Sequence, residues 1–173
     1  AQILAKTSSA DALSFMRDFL KIYPDAREVR LAYARMLVNA NQFTEARNEF
    51  TRLATDFPGN AEVSFAAGLL SLQMGDAAIA QELLTKTLEY SPREPDTVHY
   101  YLGQAAEQMK QPGVAVAHYL EVRSGNYLVP ARARQAAILA RAGKLPEARA
   151  VLASTRGEND AQNVRLIQAQ AEL

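Results

Sequence analysis

The feature that most limits what this chain can fold into is a repeat of about 34 residues. Pro24, Pro58 and Pro92 are separated by 34 residues each. Alanines recur with nearly the same period at Ala46, Ala80, Ala115 and Ala148. A bulky residue stands four positions after each alanine, namely Phe50, Leu84, Tyr119 and Leu152. Because a fixed period of this length is the mark of repeat architectures, we expect a stack of similar units.

Each unit has the pattern of two helices joined by a short turn. Apolar residues recur at helical spacing, as in Val29, Tyr33, Met36 and Leu37. Gly75 and Gly143 stand where a left-handed helix end is expected, and Pro112 and Pro146 where a second helix begins. Three N-terminal caps are predicted: a capping box of Asp25 with Glu28, and single caps at Asn60 and Asp96. The predicted helices are about 10–22, 26–40, 43–56, 61–74, 77–90, 96–109, 112–123, 129–142, 144–155 and 159–171.

These positions resemble the tetratricopeptide-repeat family. That motif has a small residue at its eighth position, alanine at its twentieth, a bulky residue at its twenty-fourth and proline at its thirty-second. The small eighth residues are Ala34, Gly68, Gly103 and Ala136. The aromatic residue usual at the fourth position is replaced by Arg30, Ser64, His99 and Arg132, and the third and fourth units lack the terminal proline.

The resemblance implies an all-α fold, a right-handed α-solenoid of antiparallel helix pairs, in one domain covering 1–173. Full repeats are expected at about 27–60, 61–95, 96–128 and 129–157, with partial repeats at 1–26 and 158–173. Small residues at positions eight and twenty allow the two helices of a pair to approach closely. The bulky twenty-fourth residue is expected to fill the space toward the next unit.

The resemblance also implies a binding surface, because the first helix of each pair lines the concave side. Ligands in this family commonly meet positions two, five, nine, twelve and thirteen, which share one helix face. The predicted partner-binding groove comprises Leu31, Arg35, Asn39, Phe65, Leu69, Leu72, Tyr100, Gln104 and Glu107. Phe65, Leu69 and Leu72 suggest an apolar anchor site for a peptide or a helix. The alternative is that tight curvature, or folding back of residues 1–10, makes these side chains part of the core.

A clamp for a peptide's terminal carboxylate is disfavoured, because family members with that clamp use lysine at position five and asparagine at position nine. The matching residues here are Leu31 and Arg35, Phe65 and Leu69, and Tyr100 and Gln104. A basic segment, Pro130 to Arg149, is favoured as a solvated face over a site for an acidic partner. It lacks the aromatic platform that usually accompanies nucleic-acid binding.

Catalytic, metal and cofactor sites are not indicated. The two histidines, His99 and His118, fall on the two helices of one pair and could approach each other, and His99 is expected to be a buried, hydrogen-bonded histidine. A zinc site needs at least three ligands, and no third is fixed by the sequence. The chain has no cysteine, and its glycine spacing matches no phosphate-binding loop. Equal numbers of basic and acidic residues, 19 each, argue against a nucleic-acid partner.

The sequence therefore predicts a protein–protein interaction scaffold and not an enzyme, with no cofactor and no membrane span. An alternative is a docking or assembly arm of a larger protein, whose catalytic part lies outside this chain. Both ends of the chain stop within a repeat and residue 1 is not methionine, which favours a fragment or a processed protein. Self-association through the end helices is a further possibility. Cytoplasm and bacterial periplasm are both compatible with the composition.

Overall fold

The repeat pattern produces a chain of helices without strands over the described residues. The structure is a computed structural model that describes the backbone of residues 2–173 and the side chains of residues 10–173. Its helices are α1 (Gln2–Ile22), α2 (Arg27–Asn39), α3 (Phe43–Asp56), α4 (Ala61–Gln73), α5 (Ala77–Glu89), α6 (Pro95–Gln108), α7 (Pro112–Glu121), α8 (Leu128–Arg141), α9 (Leu145–Ser154) and α10 (Asp160–Ala171). The prediction of an all-helical solenoid is confirmed.

The helices pack in sequence order, each against its neighbours. The pairs α2/α3, α4/α5, α6/α7 and α8/α9 each join a first and a second helix by a short turn. First helices also contact one another across units, as α4 with α6, α6 with α8, and α8 with α10. The backbones of neighbouring second helices do not approach each other in this way within residues 2–173, and neither do those of α2 and α4. The array therefore curves with its first helices on the inner side.

Close approach within a pair depends on the small residue at position eight. A Cβ atom added to Gly68 would lie 2.9 Å from Cγ of Leu84, and one added to Gly103 would overlap the ring of Tyr119. The bulky twenty-fourth residue therefore packs back onto the first helix of its own pair. Leu84 also clusters with Val98 of the next unit, as expected.

Left-handed residues end the first helix in all four turns. Gly75 and Gly143 have φ values of +85° and +77°, which confirms the predicted left-handed helix ends. Asn41 and Lys110 occupy the same place in the other two turns, each with φ of +58°. Asparagine tolerates this conformation well, whereas lysine carries the Cβ penalty that glycine avoids.

The predicted caps are only partly correct. Asn60 caps α4, its side chain accepting a hydrogen bond from the Val63 amide at 3.1 Å. The predicted capping box at Asp25 is wrong, because Ala26 precedes α2 and no side chain caps it. Asp96 is also not a cap: α6 begins one residue earlier, at Pro95. The Asp96 carboxylate instead accepts hydrogen bonds from the amides of Arg123 and Ser124, and so ties α6 to the loop before α8.

Two arginines replace the aromatic residue at position four by bonding to the preceding unit. Arg30 is 2% exposed and donates to the Pro24 carbonyl at 2.6 Å and to Glu49 at 2.5 Å. Arg132 donates to the carbonyls of Tyr119 and Val122, at the end of α7. Each guanidinium therefore joins its unit to the one before it through hydrogen bonds, where the motif normally uses an aromatic ring.

The N-terminal helix is longer than the sequence pattern predicted, since α1 begins at Gln2 and not near residue 10. Over the part of the chain that the structure describes, no helix combines the length and the apolar character that a membrane span requires.

Candidate functional site

The predicted groove residues of α2, together with Phe65 and Leu69 of α4, keep accessible surface on the inner face. Leu31, Phe65 and Leu69 are half-buried, and Arg35 and Asn39 are exposed. Leu31 packs at the edge of the core beneath α2, and Phe65 packs at the edge of the core between α4 and α6. The inner face thus presents aliphatic and aromatic surface beside polar side chains.

Two predicted groove residues lie in the core instead. Leu72 is 4% exposed and packs with Ala80 and Ala105, between α5 and α6. Tyr100 is 9% exposed, with its ring stacked on Tyr127 at a centroid distance of 4.6 Å. Leu72 and Tyr100 are therefore core residues, whereas Phe65 and Leu69 retain accessible surface.

An aromatic cluster that the sequence did not predict packs beneath the inner face of α6. Tyr101 and Tyr127 join their hydroxyl groups at 2.9 Å, and Phe65 meets the Tyr101 ring edge-on at 5.8 Å. Tyr127 lies just before α8, in the SGNYLVP junction that carries a one-residue shift of the repeat. The adjacent residues Tyr100 and Tyr101 on α6, together with Tyr127 at that junction, were the sequence features from which the cluster could have been predicted.

Glu107, a predicted groove residue, is the centre of a charged network between three helices. Its carboxylate accepts a hydrogen bond from the Tyr119 hydroxyl at 2.5 Å and one from Arg134 at 3.0 Å. Burial and then the Glu107 carboxylate raise the pKa of Tyr119, which keeps this hydroxyl a donor. Burial alone would lower the pKa of Arg134, but Tyr100, Tyr119 and Glu107 together raise it.

Charges along the inner face are largely paired between successive first helices. Arg35 of α2 forms an ion pair with Glu62 of α4, and Arg134 of α8 forms one with Glu107 of α6. Gln104 is half-buried and adds an uncharged polar group on α6. This face therefore offers apolar, aromatic and amide groups without a dominant charge.

The two histidines lie next to each other, His99 on α6 and His118 on α7. Their Nδ1 atoms are 3.2 Å apart, and both side chains are half-buried. Burial lowers the pKa of His99 and of His118, and the charge of His99 lowers the pKa of His118 further. No group of three or more metal-ligating side chains occurs among the described residues.

The basic segment Pro130 to Arg149 covers most of α8 and the start of α9, and three of its basic side chains contact other groups of the protein. Arg132 holds the carbonyls at the end of α7, Arg134 pairs with Glu107, and Lys144 lies 3.5 Å from Glu147. These contacts support the interpretation of this segment as an ordinary protein surface.

Two open clefts include surface beyond the predicted groove. The larger, about 730 Å³, is at the N-terminal ends of α4 and α6 and includes Phe65 in its lining. The smaller, about 420 Å³, lies along α3 against Ile79. Its charged residues are paired, Arg47 with Asp76 and Arg52 with Asp56, so we do not favour it as a binding site.

Comparison with known proteins identifies the repeat. Two family models, both described as tetratricopeptide repeat, match residues 4–70 and 65–128. A TPR repeat-containing protein of Pseudomonas aeruginosa is 35% identical over 77 residues, which is 44% of this chain. The matched segment is 13% of that relative's length, so the chain corresponds to a small part of it.

Solved structures share the fold at low sequence identity. The crystal structure of MamA has a TM-score of 0.75 at 14% identity, covering 99% of this chain and 96% of that one. A MamA fragment from Desulfovibrio magneticus has a TM-score of 0.69 at 13% identity, covering 99% and 90%. YrrB, described as a TPR protein with an unusual peptide-binding site, has a TM-score of 0.64 at 16% identity, covering 91% and 93%.

Proposed function

Since this chain belongs to the tetratricopeptide-repeat family and is a protein–protein interaction scaffold, we propose that it binds a peptide or helix of a partner on its inner face. The observation that carries the proposal is that Phe65 and Leu69, two large apolar residues one helical turn apart on α4, are only partly buried. Large apolar groups left accessible on a packed array are typical of a binding surface. The described peptide-binding site of YrrB, a protein of the same fold, agrees with this type of function.

The inner face suits a short amphipathic segment with apolar anchors. Leu31, Phe65 and Leu69 would receive apolar side chains, while Asn39 and Gln104 would bond to polar or backbone groups. Leu72 and Tyr100 would support this surface from beneath, since both are buried. Because the charges of the inner face are paired, we expect affinity to come from apolar burial more than from long-range attraction.

The test is selection of a displayed library of random decapeptides on the intact chain. Enriched peptides are then synthesised and titrated against the protein by fluorescence anisotropy. The variant Phe65→Glu/Leu69→Glu should lose binding while keeping its helicity, because it places charge where the peptide's apolar side chains would lie. Ile79→Glu is the matched control, since Ile79 is 45% exposed on the second helix α5. If Phe65→Glu/Leu69→Glu and Ile79→Glu both bound the peptides with the affinity of the wild type, or if no peptide were enriched, the inner face would be excluded as a binding site.

A second candidate is a docking or assembly arm of a larger protein. The observation that favours it is that the chain matches only 13% of the length of its curated relative. Under this hypothesis the inner face binds a segment of the same assembly. Finding a catalytic domain in the full gene product would support this candidate, and finding none would remove its enzymatic form.

Self-association through the end helices stays a prediction. Phe15 and Ile22 are exposed on α1, and Val164 and Ile167 are exposed on α10. Light scattering over a range of concentrations tests it, since a constant monomer mass would exclude association of this chain with itself.

A further inference from the structure

The larger cleft adjoins the proposed groove and differs from it in having two arginines without an ion pair among residues 10–173. It lies between the loop that follows α3 and the loop that follows α5, at the N-terminal ends of α4 and α6. Phe65 lines both the cleft and the inner face, so a bound segment crossing Phe65 would reach the cleft. Its volume of about 730 Å³ is in the range of ligand-binding clefts.

The one-residue shift of the repeat between the second and third units lies beside this cleft. Helix α4 begins at Ala61, before Gly68, and α6 begins at Pro95, before Gly103. Counted from its glycine, α6 therefore begins one residue earlier than α4. The extra residue lies next to Arg93 and Glu94, which both line the cleft.

Two arginines and two glutamates line the cleft, and they differ in how they are partnered. Arg27 and Arg93 line it, and neither forms an ion pair with any side chain of residues 10–173. The Arg27 guanidinium lies 5.2 Å from the centroid of the Phe57 ring, a cation–π contact that leaves its N–H donors without a charged partner among the described side chains. Of the two lining carboxylates, Glu62 is paired with Arg35, and Glu94 accepts a hydrogen bond from Thr97.

The floor of the cleft is apolar. Val98 is 2% exposed, and half-buried Phe65 lies against the same core cluster as Val98. An apolar side chain resting on Phe65 would therefore place the next residues of a peptide near the two guanidinium groups. A carboxylate there would gain charge-assisted hydrogen bonds, which planar guanidinium groups form well.

We propose that this cleft is a second pocket of the partner-binding site and takes an acidic side chain, aspartate or glutamate, that neighbours the apolar residue bound on Phe65. The inference rests on the proposed function, because the same peptide must occupy the inner face. It specifies the partner as a segment that carries an acidic residue at a fixed spacing from an apolar anchor.

The test uses the decapeptides enriched on the intact chain. They are expected to share an acidic residue at constant spacing from an aliphatic or aromatic one. The variant Arg27→Gln/Arg93→Gln should bind them at least about fivefold more weakly, in line with exposed charge-assisted contacts. The control Arg149→Gln/Arg156→Gln removes two exposed arginines outside the cleft lining and should bind them unchanged.

A peptide in which glutamine replaces the acidic residue separates the pocket from a general charge effect. It should bind the wild-type protein about as weakly as the acidic peptide binds Arg27→Gln/Arg93→Gln, and the two changes together should cost little more than either alone. Enriched peptides that need Phe65 and Leu69 but show no acidic preference would overturn this inference and leave the proposed function standing. Absence of any enriched peptide, or binding indifferent to Phe65→Glu/Leu69→Glu, would overturn both.

Discussion

The close approach of α6 and α7 predicts that Gly103→Ala destabilises the protein. A Cβ atom at this position would overlap the Tyr119 ring. Tyr119 is fully buried, and its hydroxyl donates to Glu107, so the ring cannot move aside without losing that hydrogen bond and its packing. The two helices must then separate, which disturbs the contact of α6 with its neighbours.

The magnitude follows from two opposing effects. Overpacking of a well-packed core costs about 1–3 kcal/mol, whereas alanine in place of a helical glycine gains about 1 kcal/mol. Because the ring is held on all sides, we expect a net loss of about 1–2 kcal/mol in the free energy of unfolding. In a chain of this size that loss lowers Tm by roughly 2–8 °C, at about 2–4 °C for each kcal/mol.

Urea denaturation followed by far-UV circular dichroism measures this loss. The matched control is Gly113→Ala on α7, because a Cβ atom added there meets no atom within 4 Å. The control should gain about 0.5–1 kcal/mol from the same change of residue, since alanine loses less backbone entropy. If both variants shift the free energy of unfolding in the same direction by the same amount, the helix pair is not packed as closely as described.

A double variant identifies the colliding side chain. In the fourth unit Ala136 and Leu152 lie in one core cluster, so alanine and leucine are compatible at these two positions of a pair. Gly103→Ala should therefore cost less in a Tyr119→Leu background than in the wild type. An equal cost in both backgrounds would show that the Tyr119 ring is not the obstacle.

Three further predictions concern buried polar groups. Burial lowers the pKa of His99 and His118 below the 6.5 of a free histidine, so the unfolded chain binds more protons at acid pH. Stability is then fully present above about pH 6.5 and falls as the pH decreases below it, and His99→Gln/His118→Gln should flatten this dependence in thermal melts between neutral and acid pH. Gln135→Leu should raise the free energy of unfolding by about 1 kcal/mol, because the buried Gln135 Oε1 has no hydrogen-bond partner; a lower Tm would contradict it. Arg30→Leu should lower the free energy of unfolding by about 3 kcal/mol, because it leaves the Glu49 carboxylate without its partner. Arg30→Leu/Glu49→Leu should recover part of that loss in the same urea assay.

The spacing of small and bulky residues was sufficient to predict the fold. The small and bulky positions of the repeat, such as Ala46, Ala80 and Leu84, are fully buried, because close helix packing requires a small residue at fixed intervals. The chain could tolerate Arg30 and Arg132 at an aromatic position because their guanidinium groups find carbonyls at the end of the preceding unit. Sequence alone does not show such carbonyls, since they belong to another element of the stack.

The candidate site was predictable only in part. Helical periodicity placed Phe65 and Leu69 on the inner side, but it could not separate them from Leu72, which the curvature of the array buries against Ala105. The cap prediction at Asp96 failed for a related reason: Pro95 starts the helix earlier, and the carboxylate bonds across to another loop. Residue contacts between units depend on the angle at which units stack, and local patterns do not determine that angle.

Protection of single cysteines by a bound peptide tests the central claim most directly, because the natural chain has no cysteine. Leu69→Cys places a thiol on the inner face, and Ile79→Cys places one on the second helix α5. An enriched decapeptide at saturating concentration should slow thiol labelling of the Leu69→Cys protein and leave the Ile79→Cys protein unaffected. Anisotropy first establishes the peptide concentration that saturates the Leu69→Cys protein. At that concentration, labelling at the same rate with and without peptide would contradict binding on the inner face.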